Sequence, residues 1–400
     1  MKFIRDGLDK VKPHFEKGGK WEKFYYIYEA HDTLLFAPKD TTHATGAQIK
    51  DAIDMKRLMM TVIISMIPCL LFGIWNVGHQ HFLALGQDAS FLEIIKIGSI
   101  QVLPIVVVSY GVGLGVEFAF TIFRKHPVNE GFLVSGMLIP LVMPATVPLW
   151  QVALATVFAV IIAKEAFGGT GMNVLNVALT ARAFLYFAYP SQISGEVWTY
   201  LGDGVQAVSG FSGATPLALG AEAVANGTNM MSAINSFGAG WADNVYSFSN
   251  MFFGFMPGSI GETSTLMCLI GAFILIVTGA GSWKIIFSVF AGAFGMGLLM
   301  NGIAANGFME MPAHYHLVIG GLAFGAVFMA TDPVTAAQTE TGKWIYGFLI
   351  GILTVIIRVL NPAYPEGIML AILFMNVFAP LIDYYVVKAN KKRRLQRATV

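Results

Sequence analysis

Charge is scarce in this chain. Lys, Arg, Asp and Glu make up 12% of its 400 residues, about half the share found in an ordinary soluble domain. Apolar residues make up 56%, and the mean hydropathy is +0.65. The apolar runs are continuous and do not alternate, which excludes a membrane β-barrel. This composition predicts an all-α integral membrane protein, in contact with membrane lipid and with no nucleic-acid partner.

Motifs for soluble redox cofactors are also lacking. The two cysteines, Cys69 and Cys268, lie in apolar runs without a CxxC or Cys/His spacing, which argues against an iron–sulfur or zinc site. Gly168-Gly169-Thr170-Gly171 is not a dinucleotide fingerprint, because no strand precedes it and its spacing is wrong. His314 and His316 are two apart, which favours an interfacial aromatic belt over a metal pair. Any NADH or iron–sulfur site must therefore belong to other chains.

The apolar runs predict about ten transmembrane helices. Each approaches the roughly 20 residues that a spanning helix needs. Lys and Arg cluster in the N-terminal arm, up to Lys56 and Arg57, and in the tail after residue 387, so both termini are predicted to be cytoplasmic. The arm carries an apolar helical face that could lie on the membrane or on a partner, with a solvated tail as the alternative. The predicted spans are 57–77, 97–123, 130–148, 150–165, 173–189, 265–281, 284–303, 317–331, 344–360 and 366–387.

A gap in positive charge marks the longest loop. No Lys or Arg occurs between Arg182 and Lys284, so residues 190–264 are predicted to be extracytoplasmic. The acidic residues there are Glu196, Asp203, Glu222, Asp243 and Glu262. The predicted organisation is an arm (1–56), a first transmembrane half (57–189), the outer loop (190–264), a second transmembrane half (265–387) and a basic tail (388–400).

The outer loop contains the small-residue hydroxyl motif Ser212-Gly213-Ala214-Thr215. A threonine before a proline is a good helix start, with Thr215 as N-cap and Pro216 in the first helical position. The alternative is that the Thr215 hydroxyl is a site of covalent modification. The tetrapeptide alone favours the N-cap interpretation. Only the surrounding sequence favours covalent modification of Thr215 instead.

Polar residues inside predicted spans are functional candidates, because charge is costly in hydrocarbon. Glu117 follows Gly113 and Gly115 in span two, small residues that allow close helix approach or access for a flat ligand. Pairing of Glu117 with Arg182 or Arg124 is the structural alternative. Asn173 and Asn176 share a helical face and suit a flavin edge or a quinone carbonyl, or hold helices together. Pro333 predicts a break in span eight with a helix restarting after Asp332, where unpaired backbone groups could form an ion site. The alternative is that Asp332 is the N-cap of that helix, with Pro333 in its first position. Asp383, at the end of span ten, is a cation contact or a solvated end residue.

A weak internal similarity hints at an inverted repeat of two five-helix sets. It relates Glu130-Gly131 and the apolar run to Pro144 with Glu366-Gly367 and the run to Pro380. One matched pair does not fix the register of such a repeat.

Several longer motifs together make the chain resemble the B-subunit family of sodium-translocating NADH:quinone reductases over essentially its full length. The related D subunit of Rnf-type ferredoxin:NAD reductases shares the S-G-A-T motif, but the long N-terminal arm favours the B-subunit family. The stretches that carry the resemblance are His14–Lys20, Arg124–Phe132, Lys164–Gly171, Ser212–Thr215, Pro257–Glu262, Met329–Val334 and Asn361–Gly367.

The resemblance implies ten helices in two inverted five-helix repeats, similar to urea transporters. It implies FMN bound to Thr215 through a phosphoester, riboflavin at Asn173 and Asn176, and ubiquinone near Gly113, where Leu114 replaces a second glycine that is common in the family. Where the family's flavinylation pattern usually has Asp, three positions before the serine, this chain has Ser209. Acidic residues that the family links to sodium handling match Glu117, Asp332 and Asp383.

The same resemblance implies a role in a complex. It places the chain in the bacterial inner membrane as one of six subunits, the others supplying NADH, FAD and iron–sulfur sites, and requires a flavin transferase. Electrons would reach ubiquinone through the flavins, coupled to sodium export. A cofactor-free solute channel of the same architecture and a structural anchor for other subunits are the alternatives. A channel would not need the S-G-A-T motif in its outer loop. A structural anchor would not need acidic residues in its predicted spans.

Overall fold

The computed structural model describes residues 2–36, 53–125, 131–202, 204–238, 241, 245–361 and 366–398. All regular secondary structure in these ranges is helical, which confirms the all-α membrane prediction. Part of the predicted arm, the acidic residues Asp203 and Asp243, and Glu130 of the internal similarity lie outside the described residues. The same is true of the middle of two resemblance motifs, at 126–130 and 362–365.

The helices are numbered in chain order. Two lie in the arm, ten segments match the predicted spans, and three lie in the outer loop. Their bounds are α1 Lys2–Phe15, α2 Tyr25–Leu35, α3 Met55–Leu85, α4 Phe91–Arg124, α5 Gly131–Leu141, α6 Leu149–Ala159, α7 Val177–Ala188, α8 Pro216–Ala225, α9 Met230–Ser236, α10 Phe248–Phe253, α11 Thr265–Val277, α12 Trp283–Ile303, α13 Leu322–Phe324, α14 Glu340–Leu360 and α15 Ile368–Ala398.

Six of the ten segments are long and apolar enough to cross a membrane: α3, α4, α12, α14, α15, and α6 with the turns that extend it to Phe167. One of these turns is a π-helical turn, Val160–Lys164. The other four are shorter than the sequence predicts. The helices α5, α7 and α11 have 11, 12 and 13 residues, and α13 has three, followed by a π-helical turn of five, Gly325–Met329. At about 1.5 Å per residue, each falls short of the roughly 30 Å hydrocarbon core.

Local sequence explains where the short helices break. Pro144 and Pro148 follow α5, Pro333 follows the π-helical turn after α13, and a run of glycines with positive φ precedes α7. Proline cannot donate a backbone hydrogen bond and disfavours helical geometry in the residue before it. At these breaks side chains take up freed backbone groups, as Asn176 does for the Leu179 amide and Arg182 for the Val142 carbonyl oxygen.

The long helices pack closely where glycine permits it. The helices α12 and α14 contact each other, and a Cβ added to Gly351 would lie 2.2 Å from the Val289 carbonyl oxygen. The helices α3 and α4 meet in the same way, because a Cβ on Gly98 would lie 1.8 Å from the carbonyl oxygen of Ile74. Small residues at such contacts let helix backbones approach in a membrane, where packing replaces the hydrophobic effect.

The order of long and short segments bears on the predicted repeat. The chain after α5 reads Ala145-Thr146-Val147-Pro148 before the long α6, and the chain after α13 reads Ala330-Thr331-Asp332-Pro333 before the long α14. These are the third and eighth segments, which are equivalent in a five-plus-five repeat. The similarity between Glu130 and Glu366 joins the third and tenth segments and therefore does not relate equivalent positions. The inversion of the repeat stays a prediction.

The outer loop shares a hydrophobic core with the ends of transmembrane helices. Leu217 of α8, Met230 of α9 and Met251 of α10 are buried together with Phe308 and with Met300 of α12. The loop therefore packs on the ends of transmembrane helices and holds Thr215 in a defined place.

The charge gap predicts that this loop is extracytoplasmic. Ser209 is exposed, and both native cysteines are buried, so a cysteine at position 209 gives a clean label. We expect Ser209→Cys to react with an impermeant thiol reagent in intact spheroplasts. The matched control, Lys391→Cys in the exposed basic tail, should react only after lysis. The reverse pattern would invert the topology.

Candidate functional site

A cavity of about 270 Å³ opens beside Thr215, and we call it the Thr215 cavity. Its volume is close to the lower end of the range for ligand pockets, about 300–1,000 Å³. Aromatic side chains, Tyr186 and Trp198, form part of the wall, and Arg182 and Glu262 contribute charged groups. Helix α7, the start of α8, the segment before α11 and the Gly320-Gly321 turn all line it.

Thr215 is both an N-cap and a cavity residue. Its backbone is extended, at φ −77° and ψ 161°, and its Oγ1 accepts a hydrogen bond from the Ala218 amide at 3.3 Å. Pro216 occupies the first helical position, so the cap interpretation is confirmed. The cap uses only the acceptor side of the hydroxyl, and the residue is half-buried at the cavity wall. The cap and a modification site are therefore compatible.

Neighbouring side chains hold the S-G-A-T loop in shape. Ser212 Oγ donates to Glu196 Oε1 at 2.6 Å and accepts from the Ala214 amide at 3.2 Å. The hydroxyl of the buried Tyr246 donates to the Ala214 carbonyl oxygen. These bonds fix the loop immediately before Thr215.

A buried charge cluster forms one wall of the Thr215 cavity. Arg182 Nη1 donates to Glu262 Oε2 at 2.9 Å and to Ser259 Oγ at 3.0 Å, and Nη2 donates to the Glu366 carboxylate. Glu262 Oε1 is buried with no hydrogen-bond partner among the described residues. Burial raises the pKa of Glu262; the Arg182 guanidinium lowers it and the Glu366 carboxylate raises it further.

A second buried arginine supports the same cluster. Arg358 of α14 donates from Nη1 to the His316 carbonyl oxygen at 2.7 Å, from Nη2 to that of Ile319 at 2.8 Å, and from Nε to that of Glu366 at 3.0 Å. Both arginines are exceptions to the positive-inside pattern, and the structure brings both to Glu366. Sequence reasoning gave Glu366 no site role, although two arginines in opposite halves were a signal that a buried carboxylate was needed.

A second, smaller cavity of about 80 Å³ lies beside Asp332, and we call it the Asp332 cavity. Asn173, Asn176, Asp332 and Lys164 all line it, so the structure unites three of the predicted site residues. Asn176 is the N-cap of α7, with its Oδ1 accepting from the Leu179 amide at 3.2 Å. Asn173 Nδ2 donates to the Leu175 carbonyl oxygen at 3.3 Å.

Asp332 holds a turn and does not begin a helix. Its carboxylate accepts from the Val334 amide at 3.1 Å and from Thr335 Oγ1 at 2.9 Å. The next helix, α14, begins at Glu340 with Thr339 as N-cap, so the expectation of a helix restarting at Pro333 is wrong. The short polar bonds of the turn replace the helical hydrogen bonds that proline prevents.

Glu117 is paired, but with neither arginine considered from the sequence. Lys164 donates to its carboxylate, and both side chains are only 3% exposed. Arg124 instead bonds Glu165 at 3.0 Å, and Arg182 belongs to the Thr215 cavity. The expected pairing with Arg124 or Arg182 is therefore wrong, because Lys164 approaches from the π-helical turn after α6.

Gly113 makes room for an aromatic ring. A Cβ added there would lie 1.8 Å from Phe132 Cζ, and Lys164 Nζ lies 5.9 Å from the centre of the same ring. Gly113 lines neither of the two cavities. Close helix approach, which the sequence predicted for these glycines, accounts for Gly113, and a quinone contact stays a prediction.

Asp383 lies apart from both cavities and binds the two residues that precede α14. Its carboxylate accepts from the Gln338 amide at 2.7 Å and from the Thr339 amide and Oγ1 at 3.0 and 2.6 Å. This explains the residue structurally, and its sodium role stays a prediction. In the described part of the chain, no group of three or more His, Cys, Asp and Glu is arranged to hold a metal ion.

Known proteins resemble this chain over nearly its full length. Residues 42–392 match the NQR2, RnfD, RnfE family. The chain belongs to this family. It is 48% identical to a protein of Chromohalobacter salexigens, covering 98% of this chain and 96% of the relative, and 48% identical to one of Ectopseudomonas mendocina, covering 98% and 99%. A Pseudomonas aeruginosa protein is 46% identical, covering 98% of this chain and 99% of the relative. All three are named as the B subunit of the Na(+)-translocating NADH-quinone reductase, which confirms the resemblance found in the sequence.

The packing role of Gly113 is testable against its neighbour. Gly113→Ala should destabilise the chain by about 1–3 kcal/mol, because the new methyl group overlaps the Phe132 ring. Gly115→Ala is the matched control, since its Cβ would meet nothing within 4 Å. Thermal unfolding of the purified variants measures the difference, and Phe132→Leu should partly rescue Gly113→Ala. Equal unfolding temperatures for the two alanine variants would contradict the packing account.

Proposed function

We propose that this chain is the membrane-embedded B subunit of a sodium-translocating NADH:quinone reductase and carries FMN covalently on Thr215. The observation that carries the proposal is the position of Thr215. Its hydroxyl lies in an intact S-G-A-T loop, at the wall of a ligand-sized cavity and at the start of α8. The relatives' shared name supports the complex and its sodium transport.

The residues at the Thr215 cavity fit a flavin phosphate. A phosphoester on Oγ1 would place its negative charge at the N-terminus of α8, where free backbone amides and the helix dipole favour anions. The Tyr186 and Trp198 rings offer apolar surface for an aromatic ligand. Bound flavin supplies one- and two-electron chemistry of its own. The chain's part is to hold the group through Thr215 and to shield it from water.

Riboflavin does not fit the Asp332 cavity. The cavity has a volume of about 80 Å³, far below the roughly 300 Å³ at which ligand pockets begin. Asn173 and Asn176 do line it. We assign no step to riboflavin, and none to ubiquinone at Gly113. The cavity is instead large enough for a few water molecules or a small cation. This supports Asp332, and Glu117 through its partner Lys164 in the cavity wall, as sodium-pathway residues in preference to Asp383.

The proposal extends to the surroundings of the chain. It places a multi-pass protein in a bacterial inner membrane, with both termini cytoplasmic and Thr215 outside. Other members of a six-subunit complex would supply NADH, FAD and iron–sulfur sites, and a flavin transferase would act on the outer face. Electrons would pass through covalent FMN to ubiquinone, coupled to sodium export.

The family description also includes RnfD, the competing assignment. Identities of 46–48% over 98% of this chain, to relatives named as the B subunit of the quinone reductase, favour that complex. A cofactor-free channel would not need the Thr215 hydroxyl at a ligand-sized cavity.

The test is removal of the hydroxyl. Thr215→Ala, expressed with the partner subunits and flavin transferase, should lose the covalent flavin and remain folded, because a lost cap costs only about 0.5–2 kcal/mol. Thr215→Ser should keep part of the flavin, since its hydroxyl survives. Mass spectrometry of tryptic peptides gives the flavin content, and thermal unfolding checks the fold. Full flavin on the alanine variant would move the attachment site elsewhere.

A further inference from the structure

The pair of Glu117 and Lys164 is costly for a purely structural contact. Both side chains are 3% exposed, and they connect α4 to the π-helical turn Val160–Lys164. A buried ion pair regains in attraction roughly what it loses in desolvation, so stability alone does not account for it. Single π-helical turns are rare and frequently occur at functional sites.

Lys164 also lines the cavity that a second carboxylate lines. This is the Asp332 cavity, and the described residues contain no cationic partner for Asp332, whose bonds go to Val334 and Thr335. One ammonium group thus serves a region that holds two carboxylates. Among the described residues that line this cavity, Lys164 and Asp332 are the only charged ones, so Lys164 is the only cation there that can neutralise Asp332.

We propose that Lys164 is an internal counter-ion that competes with the transported cation. In this proposal, which rests on the proposed sodium translocation, a monovalent cation binds at the Glu117 carboxylate by displacing the Lys164 ammonium group, which turns toward Asp332. The structure shows the state before displacement, in which Glu117 already binds one positive charge.

The local chemistry suits this exchange. Carboxylate oxygens are hard ligands that bind small hard cations, and an ammonium group occupies the same kind of site. A lysine ammonium is a compact charge on a flexible four-carbon stem, so it can change partners across a small cavity. The cavity of about 80 Å³ beside Asp332 has room for the displaced ammonium group and a few waters but for no organic ligand. Lys164 therefore determines how strongly Glu117 attracts the cation.

The experiment uses the purified, flavin-loaded complex. Lys164→Met removes the competitor, so the dissociation constant for ²²Na⁺, measured by equilibrium binding, should fall at least about fivefold, the lower end of ordinary coupling between sites. Lys164→Arg should raise it, because a guanidinium group holds a carboxylate in two parallel bonds. Lys343→Met is the control, since Lys343 pairs with the exposed Glu340 at 2.8 Å. It should leave the sodium dissociation constant unchanged.

Substitutions of the two carboxylates should have the opposite effect on sodium binding. Asp332→Asn removes the second position for the ammonium group, and Glu117→Gln removes the ligand, so both should weaken sodium binding and raise the sodium needed for half-maximal quinone reduction. A Lys164→Met complex with normal flavin content and unchanged or weaker sodium binding would overturn the inference. If Lys164→Met does not assemble, Lys164→Arg decides, and an unchanged dissociation constant there overturns it equally. A wild-type complex that binds no sodium would instead remove the proposed function itself.

Discussion

Buried charge in a membrane must be neutralised, and in this chain that requirement joins the two transmembrane halves. Arg182 comes from the short α7 of the first half, whereas Glu262 and Glu366 precede helices of the second. Arg358 of α14 contacts the backbone of Glu366. Breaking a buried ion pair leaves an uncompensated charge at a cost of about 3–5 kcal/mol, so these contacts fix how the halves meet. The Thr215 cavity lies against this junction.

The short helices create the places where function can reside. Each of the four ends before it could cross a bilayer, and each end leaves backbone groups that only protein can satisfy. The Thr215 cavity borders α7 and the segment before α11, and the Asp332 cavity borders the break after α13. A bundle of ten uninterrupted helices would have offered neither site. Polar residues at these breaks therefore serve both to cap the chain and to line a cavity.

Much of this was predictable from the sequence, and the reason is physical. Continuous apolar runs predict membrane helices, the Lys and Arg gap predicts the outer loop, and Thr215 before Pro216 predicts the cap that the structure confirms. Helix length was not predictable, because an apolar run looks the same whether it spans or stops. Partners were not predictable either, since Lys164 reaches Glu117 from a helix 47 residues away in the chain. The volume of each cavity depends on such tertiary contacts.

The central claim is that the cavity beside Thr215 holds a covalently attached flavin, and it is tested most directly on the wild-type chain. The complete complex is denatured, its subunits are separated by gel electrophoresis, and the gel is viewed under ultraviolet light. A covalent flavin survives denaturation, so the account predicts a fluorescent band at the position of this polypeptide. A dark band, from a preparation made with the flavin transferase present, would contradict the account.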